Sequence, residues 1–506
     1  MKNRCLNGYL TVYLSLTLSL ILSFVLTLVE GARMSAVRMD IECAADIGMN
    51  SVLAEYHREL LEQYDLLFVD TSYGTAKAGI RNTEDHLRRY MQGNFGPSSR
   101  DFLKSKDWLS LSVDKAVITQ CLFASDGEGD EMKRQVLSYL ESSTPLGPGI
   151  SDRGPEHFAG HMEQQMKQME TFSLDTRDIT AERNSIQGQI DSIELPKEEE
   201  EDGTLREITL DNPADRVNAS RGISVLNLIG KNASEISNAA VSREEYISNR
   251  LQQGGMRKNI TLLTGSPERE LRQGEKVSSG FMEKLLFHEY LFEKCGRYGQ
   301  TKDNSLLKYQ LEYILAGKKS DWDNLESVAK KLLRWREAAN VIYIFSDASK
   351  CAEAKALALT LTAVLKVPVL TEPVTSSILF AWAYLESLSD VKRIFDGGKV
   401  PLLKTAADWR TGINGIKDFG SEVPGGDGSV SEAGLSYKNY LGIMLYLMDE
   451  KTQNMRTMDV MEMDIRLTPG NRYFRMDACF DAYTAEIAVS SGFGYHYDLK
   501  KSYGYE

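Results

Sequence analysis

Histidine can transfer protons and ligate metals near neutral pH, and the chain has six: His57, His86, His157, His161, His288 and His496. His157 and His161 are four residues apart, a spacing that puts both side chains on one face of a helix, as in metal ligation. The zinc-protease motif also needs a glutamate directly after the first histidine, and Phe158 stands there. His288 has that glutamate but lacks the second histidine. These patterns predict no metal site, and a membrane-tethered metal-dependent hydrolase using His157 and His161 is kept as an alternative.

The other motifs of catalysis are also missing from the sequence. A serine nucleophile on a G-x-S-x-G turn needs a closing glycine, which residues 222–226 and 434–438 both lack. The glycine-rich residues 425–428 lack the strand and the spacing of a phosphate-binding loop, and the acidic turn at 125–130 lacks the final glutamate of a calcium loop. None of the six cysteines forms a C-x-x-C pair. We therefore predict a protein that is not an enzyme, with no catalytic residues, no cofactor and no metal.

Composition narrows the partners. The chain has 506 residues, of which 42% are apolar and 26% charged, close to the averages of globular proteins. It carries 59 basic and 72 acidic side chains, a net charge of −13. Binding to nucleic acid depends on Lys and Arg side chains that neutralise phosphates, so a nucleic-acid partner is not expected.

The strongest signal for function is an apolar run near the N-terminus. Residues 9–29 form 21 consecutive uncharged positions, and about 20 such residues in a helix span a bilayer. We predict a single transmembrane helix there, preceded by a cytoplasmic leader at 1–8. Basic residues flank both ends equally, and we place the bulk of the chain outside the cell membrane because it is acidic. A signal peptide cleaved after Gly31, which would release a secreted adhesin-like protein, remains an alternative.

The helix is predicted to continue beyond the membrane. Apolar residues recur at steps of three and four from Ala36 to Tyr64, the pattern of an amphipathic helix. We assign residues 30–155 to this membrane-proximal helix and an N-terminal ectodomain. Residues 156–215 are assigned to a further amphipathic helix, with its apolar stripe at 158–172, and to an acidic flexible linker around 196–203.

The rest of the chain, 216–506, is predicted to be a helical ectodomain that ends in β-strands. Helices are predicted at 306–316, ended by Gly317, and at 352–365, 377–395 and 436–449, and a capping box at Asp323 and Glu326 is predicted to begin another. From Phe474 to Val489 the apolar pattern has a period of two and slips once near Ala482, which predicts a bulge or turn. The fold class is therefore α+β with helix dominant, closed by a terminal pair of strands.

A family resemblance adds to this interpretation. Residues 8–13, Gly-Tyr-Leu-Thr-Val-Tyr, resemble the Gly-x-x-Thr-Val-Glu start of TadE/TadG-like pseudopilins of the tight-adherence pilus system. In that family a prepilin peptidase cuts after the glycine, and the glutamate helps to align subunits. The resemblance implies a leader-processing site at Gly8 and Tyr9 and a helix-packing span that includes Thr11, Val12 and Tyr13, with Tyr13 in the place of the glutamate.

Five further segments resemble an uncharacterised Gram-positive bacterial family associated with those pilus genes: residues 30–33, 53–66, 309–317, 381–386 and 434–441. The resemblance implies a component of an envelope or pilus assembly. We therefore expect a membrane-anchored, pseudopilin-like protein whose partners are the bilayer and other assembly proteins that pack against its N-terminal helix.

Overall fold

The computed structural model describes residues 4–95, 110–143, 179–199, 205–207, 209–250, 280–419 and 434–505. It divides into two compact units, each built from separated stretches of the chain. Unit 1 comprises Met1–Met132, Arg250–Lys276 and Thr468–Glu506, and unit 2 comprises Lys133–Asn249 and Val277–Leu467. This division differs from the boundaries expected from sequence, because residues 468–506 belong with the N-terminal part of the chain rather than with the helices before them.

Unit 1 combines helices with an antiparallel sheet. Its helices are Arg4–Leu53, Arg58–Tyr64 and Ile80–Phe95. Its strands are Val69–Asp70, Leu111–Phe123, Cys479–Ser491 and His496–Gly504. The last two are the terminal strand pair that the sequence predicted.

The strand Cys479–Ser491 is the centre of the sheet. Leu111–Phe123 pairs with one of its edges, while Val69–Asp70 and His496–Gly504 pair with the other. The register shifts where Leu122 faces Ala482 and Phe123 faces Phe480, so Asp481 is an extra residue, as in a β-bulge. This confirms the slip predicted near Ala482.

The second half of helix Arg4–Leu53 packs on this sheet. Val37, Ile41, Met49 and Val52 are buried in one apolar cluster with residues of helix Ile80–Phe95 and of the strands. Gly48 lets helix Arg4–Leu53 lie close to helix Ile80–Phe95, because a Cβ atom at Gly48 would lie 2.8 Å from Cγ of Met91.

The helix continues beyond the apolar span, as predicted, but it ends at Leu53, and a separate helix covers the rest of the amphipathic pattern up to Tyr64. The hydroxyl of Tyr505 donates a hydrogen bond to the carbonyl of Leu53, and such orphan carbonyls must find partners where a helix ends. The next helix begins at Arg58 and is capped by His57, whose ring nitrogen accepts from the backbone N–H of Leu60 at 3.3 Å.

Unit 2 is helical, as predicted. Its longer helices are Phe281–Lys294, Asp321–Ser346, Ala348–Leu365, Thr371–Phe395, Tyr437–Tyr446 and Glu450–Arg466. The shorter ones are Pro213–Ala219, Val225–Leu228, Ile247–Arg250, Gln310–Ala316 and Asn414–Lys417. Helix Asp130–Ser143 starts at the border with unit 1, and a further helix covers 179–191. Thr371–Phe395 is the core helix: most of its side chains are buried, and Asp321–Ser346 and Ala348–Leu365 pack against it.

The ends of these helices can be compared with the helix starts and stops that the sequence predicts. Gly317 ends helix Gln310–Ala316 with φ of 62°, as predicted. The predicted capping box at Asp323 is wrong, because the helix starts at Asp321 and the Ser320 side chain caps it by accepting from the N–H of Asp323. Glu326 instead accepts from the backbone N–H groups of Val225 and Leu226 at 3.0 and 3.1 Å, so it caps a different helix.

Two short strands lie within the segment that was predicted as an acidic flexible linker. Lys197–Glu199 pairs antiparallel with Leu205–Glu207, and the register sets Lys197 opposite Glu207 and Glu198 opposite Arg206. The apolar stripe at 158–172 and the glycine-rich segment 425–428 lie outside the described residues.

Candidate membrane anchor and its platform

The first half of helix Arg4–Leu53 lies outside the packed part of unit 1. Between Tyr9 and Val29 the large apolar side chains are exposed, with Leu18 at 64%. Among the described residues this is the one helix long and apolar enough to cross a bilayer, and none of its most apolar window is buried. By length and composition it can serve as a membrane anchor or as a signal sequence.

The residues of the predicted processing and packing sites all lie on this helix. Gly8 is inside it rather than before it, because the helix begins at Arg4, and a Cβ atom at Gly8 would meet nothing within 4 Å. Tyr9 and Tyr13 are exposed at 82% and 67%. Thr11 and Val12 are also exposed.

The hydroxyl groups of the span donate to their own helix. Thr11 donates to the carbonyl of Gly8 at 2.9 Å, Ser15 to Val12 at 2.9 Å, and Thr27 to Ser23 at 2.8 Å. Lipid offers no hydrogen-bond partner, and a hydroxyl that donates to a carbonyl of the preceding turn needs none. These serines and threonines are therefore compatible with a hydrocarbon environment.

The spacing of the small hydroxyl residues in the span is a further signal, which the predictions from sequence did not use. Small hydroxyl residues recur at every fourth position: Thr11, Ser15, Ser19, Ser23 and Thr27. Positions four apart form one continuous ridge on a helix surface, and small residues on such a ridge let a second transmembrane helix approach closely. The period of four was visible in the sequence.

The second half of the helix is joined to the last strand by polar contacts. The hydroxyl of Tyr497 donates to Glu42 at 3.0 Å, and that of Tyr503 donates to Asp46 at 2.8 Å. Lys501 forms an ion pair with Asp46, and this contact lowers the pKa of the Asp46 carboxyl. The helix is thus fixed to the sheet by side chains as well as by the apolar cluster.

The four histidines that the structure describes do not share a site. In unit 1, Nδ1 of His86 lies 2.9 Å from Glu55, and Nε2 of His57 lies 3.1 Å from Oδ1 of Asn471. Burial lowers the pKa of His57 and lowers that of His288 to about 4. His496 is exposed on the last strand. His157 and His161 lie outside the described residues, and within the described ranges no group of three or more His, Cys, Asp or Glu could hold a metal ion.

Unit 2 holds a buried network of charges that resembles a reactive centre in composition. Arg336 lies 3.0 Å from Asp390, and Lys404 bridges Asp390, at 2.6 Å, and Glu386. The backbone N–H and the hydroxyl of Thr411 each donate to Glu386 at 2.7 Å. The side chains of both cations and both acids are at most 5% exposed. Because these carboxylates already accept several donors and are closed to solvent, the network can hold helices together but offers no free group to a substrate.

A second buried group in unit 2 has a perturbed acid. Glu312 accepts from the hydroxyl of Tyr437 at 2.7 Å and from the N–H of Tyr298 at 3.0 Å. Its burial raises the pKa of Glu312 to about 7. Burial likewise raises the pKa of Asp459 to about 6, although the hydroxyl of Tyr313 donates to it at 2.8 Å. These acids bind protons near neutral pH, which bears on stability.

Comparisons with known proteins bear on the second half of the chain. No curated protein and no solved structure matches the chain. A family model described as a family of unknown function, DUF5702, matches residues 203–491. That range covers more than half of the chain, includes most of unit 2 and the central strand, and leaves out the N-terminal helix. The chain therefore belongs to the DUF5702 family of unknown function.

Proposed function

We propose that this protein is a non-enzymatic, single-pass membrane protein of the cell envelope, with the bulk of the chain outside the membrane. In this proposal it is a pseudopilin-like component of a tight-adherence pilus or a related secretion assembly. The supporting observation is the division of helix Arg4–Leu53 into two halves. Its exposed apolar half needs a hydrocarbon environment, while its second half is the core of unit 1.

The anchor follows from the free energy of the exposed side chains. Leaving a large aliphatic side chain in water forgoes about 1.5–3 kcal/mol relative to burying it, and the span exposes twelve of them. Lipid or the helices of partner proteins must therefore cover this surface. The hydroxyl ridge supports the second part of the proposal, because it lets partner helices approach within the bilayer.

The mass of the native protein distinguishes the fates of the N-terminus. A retained leader or a cut after Gly8 keeps the span, and we expect one of these two. An N-terminus at Ala32 would remove the anchor and would favour the secreted adhesin-like protein instead.

Substitutions in the span then separate anchoring from assembly. Leu18→Lys places a charge at mid-span, costs about 2.5–3.5 kcal/mol on the insertion scale, and should reduce the membrane-bound fraction. Leu359→Lys is the matched control, since Leu359 is 50% exposed on a helix of unit 2. Equal membrane fractions for both variants would contradict the anchor.

Ser19→Ile keeps the span apolar but fills the hydroxyl ridge. We expect it to remain in the membrane and to lose crosslinks between N-terminal helices, whereas Leu20→Ile, which lies off the ridge, should keep them. If wild-type protein in native membranes gives only monomers after crosslinking, the assembly role is wrong. The hydrolase alternative predicts bound metal that a His157→Ala, His161→Ala double variant loses.

A further inference from the structure

The hairpin between the last two strands lies beside the membrane end of the long helix. Val29 is the last residue of the uncharged run, and the helix continues unbroken to Arg33, which is about 6 Å further along the axis at 1.5 Å per residue. The Arg33 guanidinium lies 3.3 Å from the centre of the Phe493 ring. Phe493 is therefore close to the level at which the apolar span ends.

The last strand leads away from this level. Tyr497 contacts Glu42, Lys501 and Tyr503 contact Asp46, and Tyr505 contacts Leu53. Later residues of the strand thus meet later residues of the helix, at increasing distance from the span. The other end of this contact, at Leu53, is 20 residues or about 30 Å beyond Arg33.

Backbone hydrogen bonds hold the tip of the hairpin, and the Phe493 ring is half-exposed on it. The N–H of Ser491 donates to the carbonyl of Tyr495 at 2.8 Å, and that of Gly494 donates to Ser491 at 2.9 Å. Gly492 packs closely on the neighbouring strand, because a Cβ atom there would lie 2.8 Å from Cβ of Ser110. Phe493 is nevertheless 50% exposed. The turn therefore carries a half-exposed aromatic side chain.

We propose that the hairpin tip, residues 492–495, is a second membrane contact, and that Phe493 enters the headgroup interface of the same bilayer that the helix crosses. The inference rests on the proposed anchoring. Aromatic residues collect where the hydrocarbon meets the headgroups, and Arg33 can cover the ring while its charge stays in water. One helix alone can rotate and tilt in a bilayer, so a contact to one side of it fixes how unit 1 faces the membrane.

The test measures the depth of the tip in full-length protein reconstituted in phosphatidylcholine vesicles. Phe493→Trp adds an indole at the tip, and its emission is obtained by subtracting that of wild type, which has five tryptophans. Tyr473→Trp is the matched control: Tyr473 is 48% exposed and lies near Asn471, which contacts His57 beyond the far end of the helix. We expect lipids brominated near the headgroup to quench the added emission of the Phe493→Trp variant and not that of the Tyr473→Trp variant.

Two outcomes would overturn the proposal in different ways. If the protein floats with the vesicles and neither added indole is quenched, the span is inserted and the tip contact is wrong. If the protein does not float with them, the anchoring proposal fails, and the tip contact fails with it. Wild-type protein provides a second measurement: a photoactivatable lipid should label the peptide that contains Phe493, and absence of that label in floating protein would also refute the contact.

Discussion

The buried carboxyl of Glu312 should make the stability of unit 2 depend on pH, and Glu312→Gln should remove that dependence. The pKa of Glu312 rises from 4.5 to about 7 because the side chain is withdrawn from water, although Tyr437 and the N–H of Tyr298 donate to it. A glutamine is close in shape to the protonated acid and stays neutral at every pH.

The sign follows from the proton bound to the folded state. Below pH 4.5 the acid is protonated in both the folded and the unfolded chain, so its contribution to stability is complete. Between pH 4.5 and about 7 the unfolded chain loses the proton while the folded state keeps it, and stability falls as pH rises. Each pKa unit corresponds to about 1.4 kcal/mol, so the loss from this group approaches about 3 kcal/mol above pH 7.

The assay is urea unfolding of detergent-solubilised protein followed by tryptophan emission at pH 4.5, 6 and 8. Trp322, Trp335, Trp382 and Trp409 lie in unit 2, so the signal reports mainly that unit. Glu312→Gln should match wild type at pH 4.5 and exceed it by about 3 kcal/mol at pH 8, whereas Glu353→Gln, at an exposed position, should match wild type throughout. A difference between Glu312→Gln and wild type that is the same at all three pH values would refute the reasoning.

Three further substitutions test other parts of the structure. His288→Gln should gain stability relative to wild type as pH falls from 6.5 to 4, because burial lowers the pKa of His288 to about 4 and the unfolded chain takes up the proton first; the same unfolding curves measure this, and a constant difference would contradict it. Lys404→Met should cost about 3–5 kcal/mol because it leaves two buried carboxylates short of a cation, whereas Lys355→Met, which removes an exposed pair with Glu372, should cost at most about 1 kcal/mol. Gly48→Ala should destabilise unit 1 by about 1–3 kcal/mol, because the added Cβ atom would collide with Met91. Gly93→Ala is the control and should stabilise its helix by up to about 1 kcal/mol, because an added Cβ atom there meets nothing within 4 Å. Unfolding followed by circular dichroism measures both changes in stability, and two changes of the same sign would contradict the packing at Gly48.

Local signals in the sequence predicted the features that depend on neighbouring residues. The apolar run marked the exposed half of the first helix, Gly317 marked a helix end, and the slip in period near Ala482 marked the bulge opposite Leu122 and Phe123. In each case the responsible residues are neighbours in the sequence, so a pattern in the sequence contains the cause. The hydroxyl ridge of the span belongs to the same class.

Features that depend on distant residues were not predictable. The amphipathic pattern extends to Tyr64, but the helix ends at Leu53, where the hydroxyl of Tyr505 donates a hydrogen bond to the Leu53 carbonyl. Ser320 and Asp323 are both suitable capping residues, and tertiary contacts decide between them, since Glu326 is taken by the backbone of residues 225 and 226. The charge network joins Arg336 to Glu386 and Lys404, and no spacing rule connects residues so far apart.

The position of the central strand has a consequence for how the anchor is supported. Cys479–Ser491 pairs with strands from residues 69–70 and 111–123, and it covers the apolar face of the helix at Ile41 and Met49. Unit 1 therefore cannot complete its fold until residues near 490 have been synthesised. Contacts of such large sequence separation form slowly, so the span is available to the bilayer well before unit 1 can fold.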